Sequence, residues 1–568
     1  MNKEKKIIHI SKNASSLFII VIIILLNLIA RNLFFRIDLT SEKRYTISHE
    51  TKQILKELDD VVFIRIYLDG ELNNQLQQFQ KNITELLDEF RVYSRNIEYE
   101  LVDPFEDVSP KVRNNILSDL NKKGLSPINI HHKKKDGSIT EKIIIPGAIV
   151  IHNGIEMSLN LLMNNPGKSS ENNLNNSIES LEYNFISTIK NLTYKTTDKI
   201  AFIEGHGEFS DPYLGDIMKE LSKSYQVDRG IINGQPYILD NYKAIVIAGP
   251  VKEFSESDKF VIDQYIMKGG KVLWLIDPVM VDFDSLANGS TLAFANNLNL
   301  EDMLFRYGIR LNPVLIQDAQ CSFIPINVAL KGSAPNFQSV PWLYYPLFSP
   351  PDNNLISQNL NLVYSRFAST IDTIGSRNKI KKTPLLISSG YSKVVKTPTI
   401  ISLSEINNPP SDKEFNAPQR LTGVLLEGKF ESVFRNRMVS EYVEFPINGV
   451  LEESESTKMI VIADADIIRN DVQETSRGIS ISPLGFDRYT NQTYGNKNFL
   501  INAINYLADD TNLLKLRGRE FKLRLLSRSK LSTQIVKWQV INLIAPLLLL
   551  IISGFIFYMI RKAKYSRL

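Results

Sequence analysis

Apolar positions along this chain switch between two periods, and the switches mark its elements. Between residues 61 and 68 they run almost unbroken around Arg65, which predicts a buried strand. Leu72, Leu76, Phe79, Ile83, Leu86, Leu87 and Phe90 then recur at spacings of three and four, the stripe of an amphipathic helix. Ile97, Tyr99 and Leu101 alternate as a second strand. Asp136-Gly137 and Asn153-Gly154, each between β-rich segments, predict two hairpins. Upstream, Ser48 is placed to cap a short helix ending near Leu58. Downstream, Ile178, Leu181, Phe185, Ile189 and Leu192 predict a helix over 176–192. The order is β-α-β followed by hairpins. Residues 36–170 are therefore expected to form a thioredoxin-like α/β domain, and 171–197 a linking helix. No CxxC is present, so thiol chemistry is excluded there.

From 198 to 510 strands and helices alternate with short turns, the pattern of a parallel α/β sheet. Strands are expected at 200–203, 244–248 and 271–276. One helix lies over 213–224, and a second is capped by Ser255-x-x-Asp258 and stopped by Gly269-Gly270. Strands at 385–388, 424–427 and 459–463 are expected to complete the sheet, and a helix at 498–508 follows. An insertion rich in Pro, Ser and Asn is expected near 333–415, with long loops over 333–352 and 407–412.

Two segments obey neither period. Residues 540–560 hold 21 positions without a charge. At the helical rise they reach about 31 Å, enough for a bilayer core. Trp538 and Tyr558 sit where an aromatic belt would fall, and Arg561, Lys562 and Lys564 follow. A transmembrane helix is expected over 538–560; a buried core helix is the competing reading. Residues 14–35 are expected to be a transmembrane helix or signal anchor with Arg31 snorkelling; a cleaved signal peptide is the alternative. Lys3, Lys5, Lys6 and Lys12 before the first segment, and Arg567 with the basic residues after the second, place 1–13 and 561–568 in the cytoplasm. The central region then lies on the periplasmic side of a bacterial inner membrane. The basic juxtamembrane segment 511–537 argues the other way.

Composition mainly excludes. A net charge of +4, with basic residues spread along 568 positions, gives no nucleic-acid footprint. One cysteine, Cys321, rules out an intrachain disulfide and a cysteine-rich metal site. There is no GxxxxGK[ST] and no GxSxG, so neither P-loop hydrolysis nor a hydrolase elbow is expected.

The best candidate site is Glu204-Gly205-His206-Gly207-Glu208, directly after a strand and before a helix. In a parallel sheet that is the carboxyl edge, where ligands bind. The glycines permit a tight turn, and an imidazole between two carboxylates could hold metal or move protons. The same residues could equally form a structural turn tying the loop to the sheet, or a recognition surface. No second His-rich motif supplies further ligands, since His131-His132 belong to a hairpin of the first domain. Asp464 and Asp466 follow a strand as a carboxylate pair, an arrangement routine at strand ends.

Three stretches carry a family resemblance: Asp38-Leu-Thr-Ser-Glu-Lys-Arg-Tyr-Thr-Ile-Ser48, Phe202-Ile-Glu-Gly-His-Gly-Glu208, and Asn498-Phe-Leu-Ile-Asn-Ala-Ile-Asn-Tyr-Leu507. Together they resemble the GldG-type gliding-motility family within the ABC-transporter auxiliary proteins. The resemblance implies a membrane-anchored, non-catalytic accessory subunit beside an ABC permease and a separate ATPase, with no cofactor and a possible homo-oligomer. It also implies that the second domain is of the GIFT type, similar to glutamine-amidotransferase-like folds. Those enzymes carry a nucleophilic Cys at a sharp turn after a strand. The comparable turn, Ala248-Gly249-Pro250, has no nucleophile, so amidotransferase activity is not expected. A membrane-anchored binding protein for a sugar or peptide is the alternative function.

Overall fold

The computed structural model describes residues 46–565 apart from 107, 134–138, 164–168, 195–197, 328, 330–333, 335, 352–353, 376–379, 408–409, 416–417, 438–448, 476–477, 510–512 and 519–527. The expected first anchor at 14–35 lies outside these residues, as does Asp136-Gly137. The chain forms two units, Met1–Glu520 and Phe521–Leu568.

The first unit begins with α1 (His49–Lys56), β1 (Val62–Ile66), α2 (Asn74–Tyr93), β2 (Ile97–Leu101) and α3 (Pro110–Lys122). Then come β3 (Ile128–Lys133), β4 (Ile139–Ile144), β5 (Gly147–His152), β6 (Ile155–Asn160) and α4 (Ser170–Thr193). The capping residues act as their chemistry dictates. The Ser48 hydroxyl accepts from the Thr51 amide at the start of α1, and the Asn73 side chain accepts from Leu76 N at 2.9 Å at the start of α2. Asn153 and Gly154, both at positive φ, turn β5 into β6 as a hairpin. The sheet order is β2-β1-β5-β6, with β1 parallel to β2 and antiparallel to β5. Among the described residues β3 and β4 pair only with each other. Alternate residues of β1, Val62, Ile64 and Ile66, are fully buried and share a core with Phe79, Ile83, Leu87 and Phe90 of α2. Phe185, Ile186 and Ile189 of α4 complete it. Each such side chain contributes about 1.5–3 kcal/mol by leaving water.

The seven-stranded sheet follows. It contains β7 (Lys199–Glu204), β8 (Gln226–Ile231), β9 (Ala244–Ala248), β10 (Val272–Leu275), β11 (Lys381–Ile387), β12 (Leu421–Gly428) and β13 (Thr457–Ile462). Its order is β11-β12-β13-β10-β9-β7-β8. The five strands from β13 to β8 are parallel, β12 is antiparallel to β13, and β11 is antiparallel to β12. Near-continuous apolar runs suit strands covered on both faces. One face of β9, with Ile245 and Ile247, packs against Phe260, Ile262 and Ile266 of α6 (Glu256–Met267). The other, with Val246 and Ala248, meets α5 (Asp211–Leu221) through Leu214 and Ile217. α7 (Asn496–Ala508) adds Phe499, Ala503 and Ile504 to that second face. The strands expected near 385, 424 and 459 thus do complete the sheet begun at 200.

Three expectations change. The loop expected over 333–352 contains a long strand, Phe337–Phe348, paired with Cys321–Asn327. Its buried positions include Trp342 and Tyr344, which join Val279, Leu315, Phe367 and Ile401 in a small β-sheet core, and Leu347 and Phe348, of which Phe348 reaches the core of the seven-stranded sheet. Pro341 and Pro346 obscured that alternation. Both are tolerated because, among the described residues, a second neighbour strand pairs only at Leu347 and Phe348. The helix expected over 176–192 starts earlier, at Ser170, and ends at Thr193. Finally, the basic segment expected at 511–537 opens with a 3-10 turn, Leu513–Gly518, whose Leu513, Leu514 and Leu516 are buried in the core of the first sheet. Lys515 and Arg517 alternate with these leucines and mask the apolar pattern.

The second unit contains α8 (Arg528–Tyr565), which includes Pro546. Its stretch Gln534–Lys564, in which an 18-residue window has a mean hydropathy of 2.6, has the length and composition to cross a membrane.

Candidate functional site

The strand order reverses at β7, which has β8 on one side and β9 on the other. Such a reversal usually opens a crevice beyond the carboxyl ends of the strands. Here Glu204 ends β7, and the loop that follows carries the other four candidate residues across to the end of β9. The carbonyl of His206 accepts from Val251 N at 2.9 Å and Lys252 N at 2.8 Å, both just after β9. Phe209 N donates to the Ala248 carbonyl at 3.1 Å. Gly205 (φ 116°) and Gly207 (φ 81°) make the bend. A Cβ on Gly207 would lie 2.5 Å from Val251 Cγ2, so only glycine fits.

His206 points inward and is 5% exposed. Its Nε2 is 3.1 Å from Asp258 Oδ2, and its Nδ1 is 3.2 Å from Glu208 Oε1. The other Glu208 oxygen accepts from His206 N at 2.8 Å. Phe254 stacks on the imidazole with centroids 3.7 Å apart and planes 13° from parallel. Burial works against charge on the ring, but the hydrogen bonds to Asp258 and Glu208 outweigh it and lift the imidazole to about 9. Burial likewise opposes the Asp258 charge, yet His206 and the Gly234 N–H, 2.7 Å from Oδ1, hold that carboxyl below its ordinary value. At neutral pH the group is an imidazolium between two carboxylates, with both nitrogens donating.

Glu204 faces outward. Its Oε1 is 2.6 Å from an Arg229 nitrogen that also donates to the Phe209 carbonyl at 2.8 Å. The other terminal nitrogen of Arg229 pairs with Asp211, at the start of α5. The five residues therefore come together, but as a bolted turn.

Asp258 was legible only as the end of a capping box. The Ser255 hydroxyl does accept from Asp258 N at 3.1 Å, but the Asp258 carboxylate turns to His206 and Gly234 instead of the helix start. Phe254 gave no sequence signal.

A second charged cluster lies at the ends of β10 and β13. Asp277 Oδ1 accepts from Ala465 N at 2.7 Å. Asp464 Oδ1 accepts from Asp466 N at 2.8 Å, and its Oδ2 accepts from Arg366 N at 3.1 Å and from the Ser365 hydroxyl. Arg366 is 2.6 Å from Asp471, and Arg469 is 3.1 Å from Asp466. Arg469 also lies over the rings of Tyr213 and Phe209, 4.7 and 5.4 Å from their centroids. Burial, then the negative charge of Asp466, pushes Asp277 up to about 7. Burial, then Asp277 and Asp466, lifts Asp464 well above the usual range. Asp464 thus belongs with Asp277 to a buried joint that favours protonated carboxyls, and Asp466 beside it is paired with Arg469.

Among the described residues no group of His, Cys, Asp and Glu is arranged to hold a metal ion. Gly249, in the turn after β9, bonds through its N–H to the Leu275 carbonyl at 2.9 Å. Cys321 is buried in a strand, and burial pushes its thiol up to about 12.

Residues 41–151 match a domain of unknown function. An uncharacterized protein of Borreliella burgdorferi is 24% identical over 452 residues, covering 77% of this chain and 80% of the relative. The solved N-terminal domain of mmIFT52 aligns over 55% of this chain and 98% of its own, with 13% identity and a TM-score of 0.31. Residues 197–503, more than half of the chain, match the family described as ABC-type uncharacterized transport system, which also names the auxiliary component of that system, and this protein belongs to that family.

Proposed function

We propose that this protein is a non-catalytic, membrane-anchored accessory subunit of an ABC-type transporter, acting as an interaction scaffold beside a permease and a separate ATPase. The observation that carries this reading is the saturation of His206. Both ring nitrogens are hydrogen-bonded to carboxylates, one ring face is stacked on Phe254, and the side chain is buried. A general base or metal ligand needs a free nitrogen lone pair, and this imidazolium offers none. The loop surface instead presents a fixed shape, with exposed Val251 and Ile231 lying against its two glycines.

The finer parts of the reading have separate supports. A second anchor at 14–35 and a periplasmic placement of the folded body rest on hydropathy and flanking lysines. The thioredoxin-like reading of the first domain is supported by the β2-β1-β5-β6 order. The GIFT-type reading of the second, and association with gliding motility, rest on the three resembling stretches.

The test is affinity purification of the tagged full chain from native membranes. Recovery of a polytopic permease and a nucleotide-binding ATPase is expected. A chain that instead returns alone with a tightly held sugar or peptide would overturn the scaffold reading in favour of a substrate receptor.

A further inference from the structure

The first sheet's core is closed by chain from opposite ends of the folded body. Ile47, just before α1, and Ile54 and Leu55 within it lie in the same hydrophobic cluster as Leu513, Leu514 and Leu516. All six are 8% exposed or less. Both ends engage α4. From the incoming side, Ser48 N donates to Glu182 Oε1 at 2.7 Å, and the Thr51 hydroxyl donates to the same oxygen at 2.7 Å. On the outgoing side, Lys190 Nζ is 3.1 Å from Asp509, just after α7, and the turn Leu513–Gly518 packs along α4. Glu182 is 7% exposed, so its contacts to α1 are shielded from water and salt.

We infer that Leu513–Gly518 is a conformational strap, which locks α1 against α4 and couples the outgoing connection of the chain to the packing of the incoming one. Without the strap, the core facing α4 loses three leucines supplied from more than 300 positions downstream, and no local segment replaces them. The strap is short, six residues in a 3-10 turn, and so can release without disturbing the seven-stranded sheet, whose cores contain none of its leucines. The order of release follows from local stability: a six-residue turn held by three leucines opens at less cost than a seven-stranded sheet whose cores it does not enter. An outgoing connection pulled free would therefore loosen α1 and α4 first. α4 directly precedes β7 and the His206 loop in the chain.

Hydrogen exchange on the full chain in lipid nanodiscs tests this, comparing the parent with Leu514→Ser/Leu516→Ser and with the milder Leu516→Ala. Exchange in peptides covering 49–56 and 170–193 is expected to rise at least tenfold in the double variant and measurably in the single one. Peptides covering 199–204, 244–248 and 272–275 should keep their protection. Unchanged protection of 49–56 and 170–193 in the double variant would overturn the inference. So would equal loss across the seven-stranded sheet in Leu516→Ala, because the segment would then be part of the global core and not a strap.

Discussion

His206 Nε2 and Asp258 Oδ2 lie 3.1 Å apart although 52 residues separate them, and this contact joins the loop after β7 to the first turn of α6. It fixes both the position and the charge of the imidazole. Because the folded ring is lifted to about 9 from an ordinary 6.5, the charged form is the one the fold prefers. Its contribution is fully present below pH 6.5 and is lost as pH rises through 9. The size is on the order of 2–3 kcal/mol. The denaturant midpoint of the detergent-solubilised chain should fall between pH 6.5 and 9.5. In Asp258→Asn that slope should flatten. An unchanged slope in the variant would show that Asp258 does not set the charge.

Gly207→Ala tests the turn itself. The substitution places a Cβ 2.5 Å from Val251 Cγ2 at φ 81°, a conformation that L residues adopt with strain. The expected loss is about 1–3 kcal/mol. Val251→Ala removes the clash but not the strain, so the double variant should recover part of the loss. A double-mutant cycle with no coupling between the two positions would sink this account.

Much of the sheet was legible because its strands are short, apolar and bounded by turn residues. The run Ala244–Ala248 was placed to the residue, since alanine and glycine bracket a β-branched centre. The candidate loop was legible too, because glycines around a histidine after a strand are unusual. Its function was not legible. The partners that saturate His206 are one near residue, Glu208, and one distant residue, Asp258, whose capping pattern hid its second role. Leu513–Gly518 was missed for a related reason: its leucines alternate with Lys515 and Arg517, and charge dominated the reading.

Asp263 is fully buried on α6 and, besides Gln264 Nε2 next to it at 3.1 Å, is the acceptor for three donors from elsewhere in the chain: Tyr307 hydroxyl at 2.8 Å, Ser432 hydroxyl at 2.6 Å and Val433 N at 3.0 Å. Ser432 and Val433 tie α6 to the segment after β12, and Tyr307 ties it to the end of the short helix Glu301–Arg306. Asp263→Ala strands all three donors, and a loss of roughly 3–5 kcal/mol is expected. Asp263→Asn keeps an acceptor oxygen and should lose less. Burial already raises this carboxyl, so the two variants separate the role of charge from that of hydrogen bonding. Equal midpoints for Ala and Asn would show that the acceptor geometry contributes nothing.

Asp277 should produce a pH effect in a different window from His206. Its carboxyl is raised to about 7 from 3.8, first by burial and then by the charge of Asp466. A group held protonated in the fold supports stability below its unfolded value and loses that support as pH rises, here between about 4 and 7. Asp277→Asn removes the ionisation while keeping an oxygen to accept from Ala465 N. The variant should therefore match the parent near pH 4 and exceed it at pH 8, by roughly 1–2 kcal/mol once strain and lost packing are subtracted. Midpoints measured at pH 4, 6 and 8 decide it. A variant less stable than the parent at pH 8 would mean that the ionised carboxylate is the form the joint requires, and that the pairing with Asp464 and Asp466 is compensated by Arg366 and Arg469 rather than by a held proton.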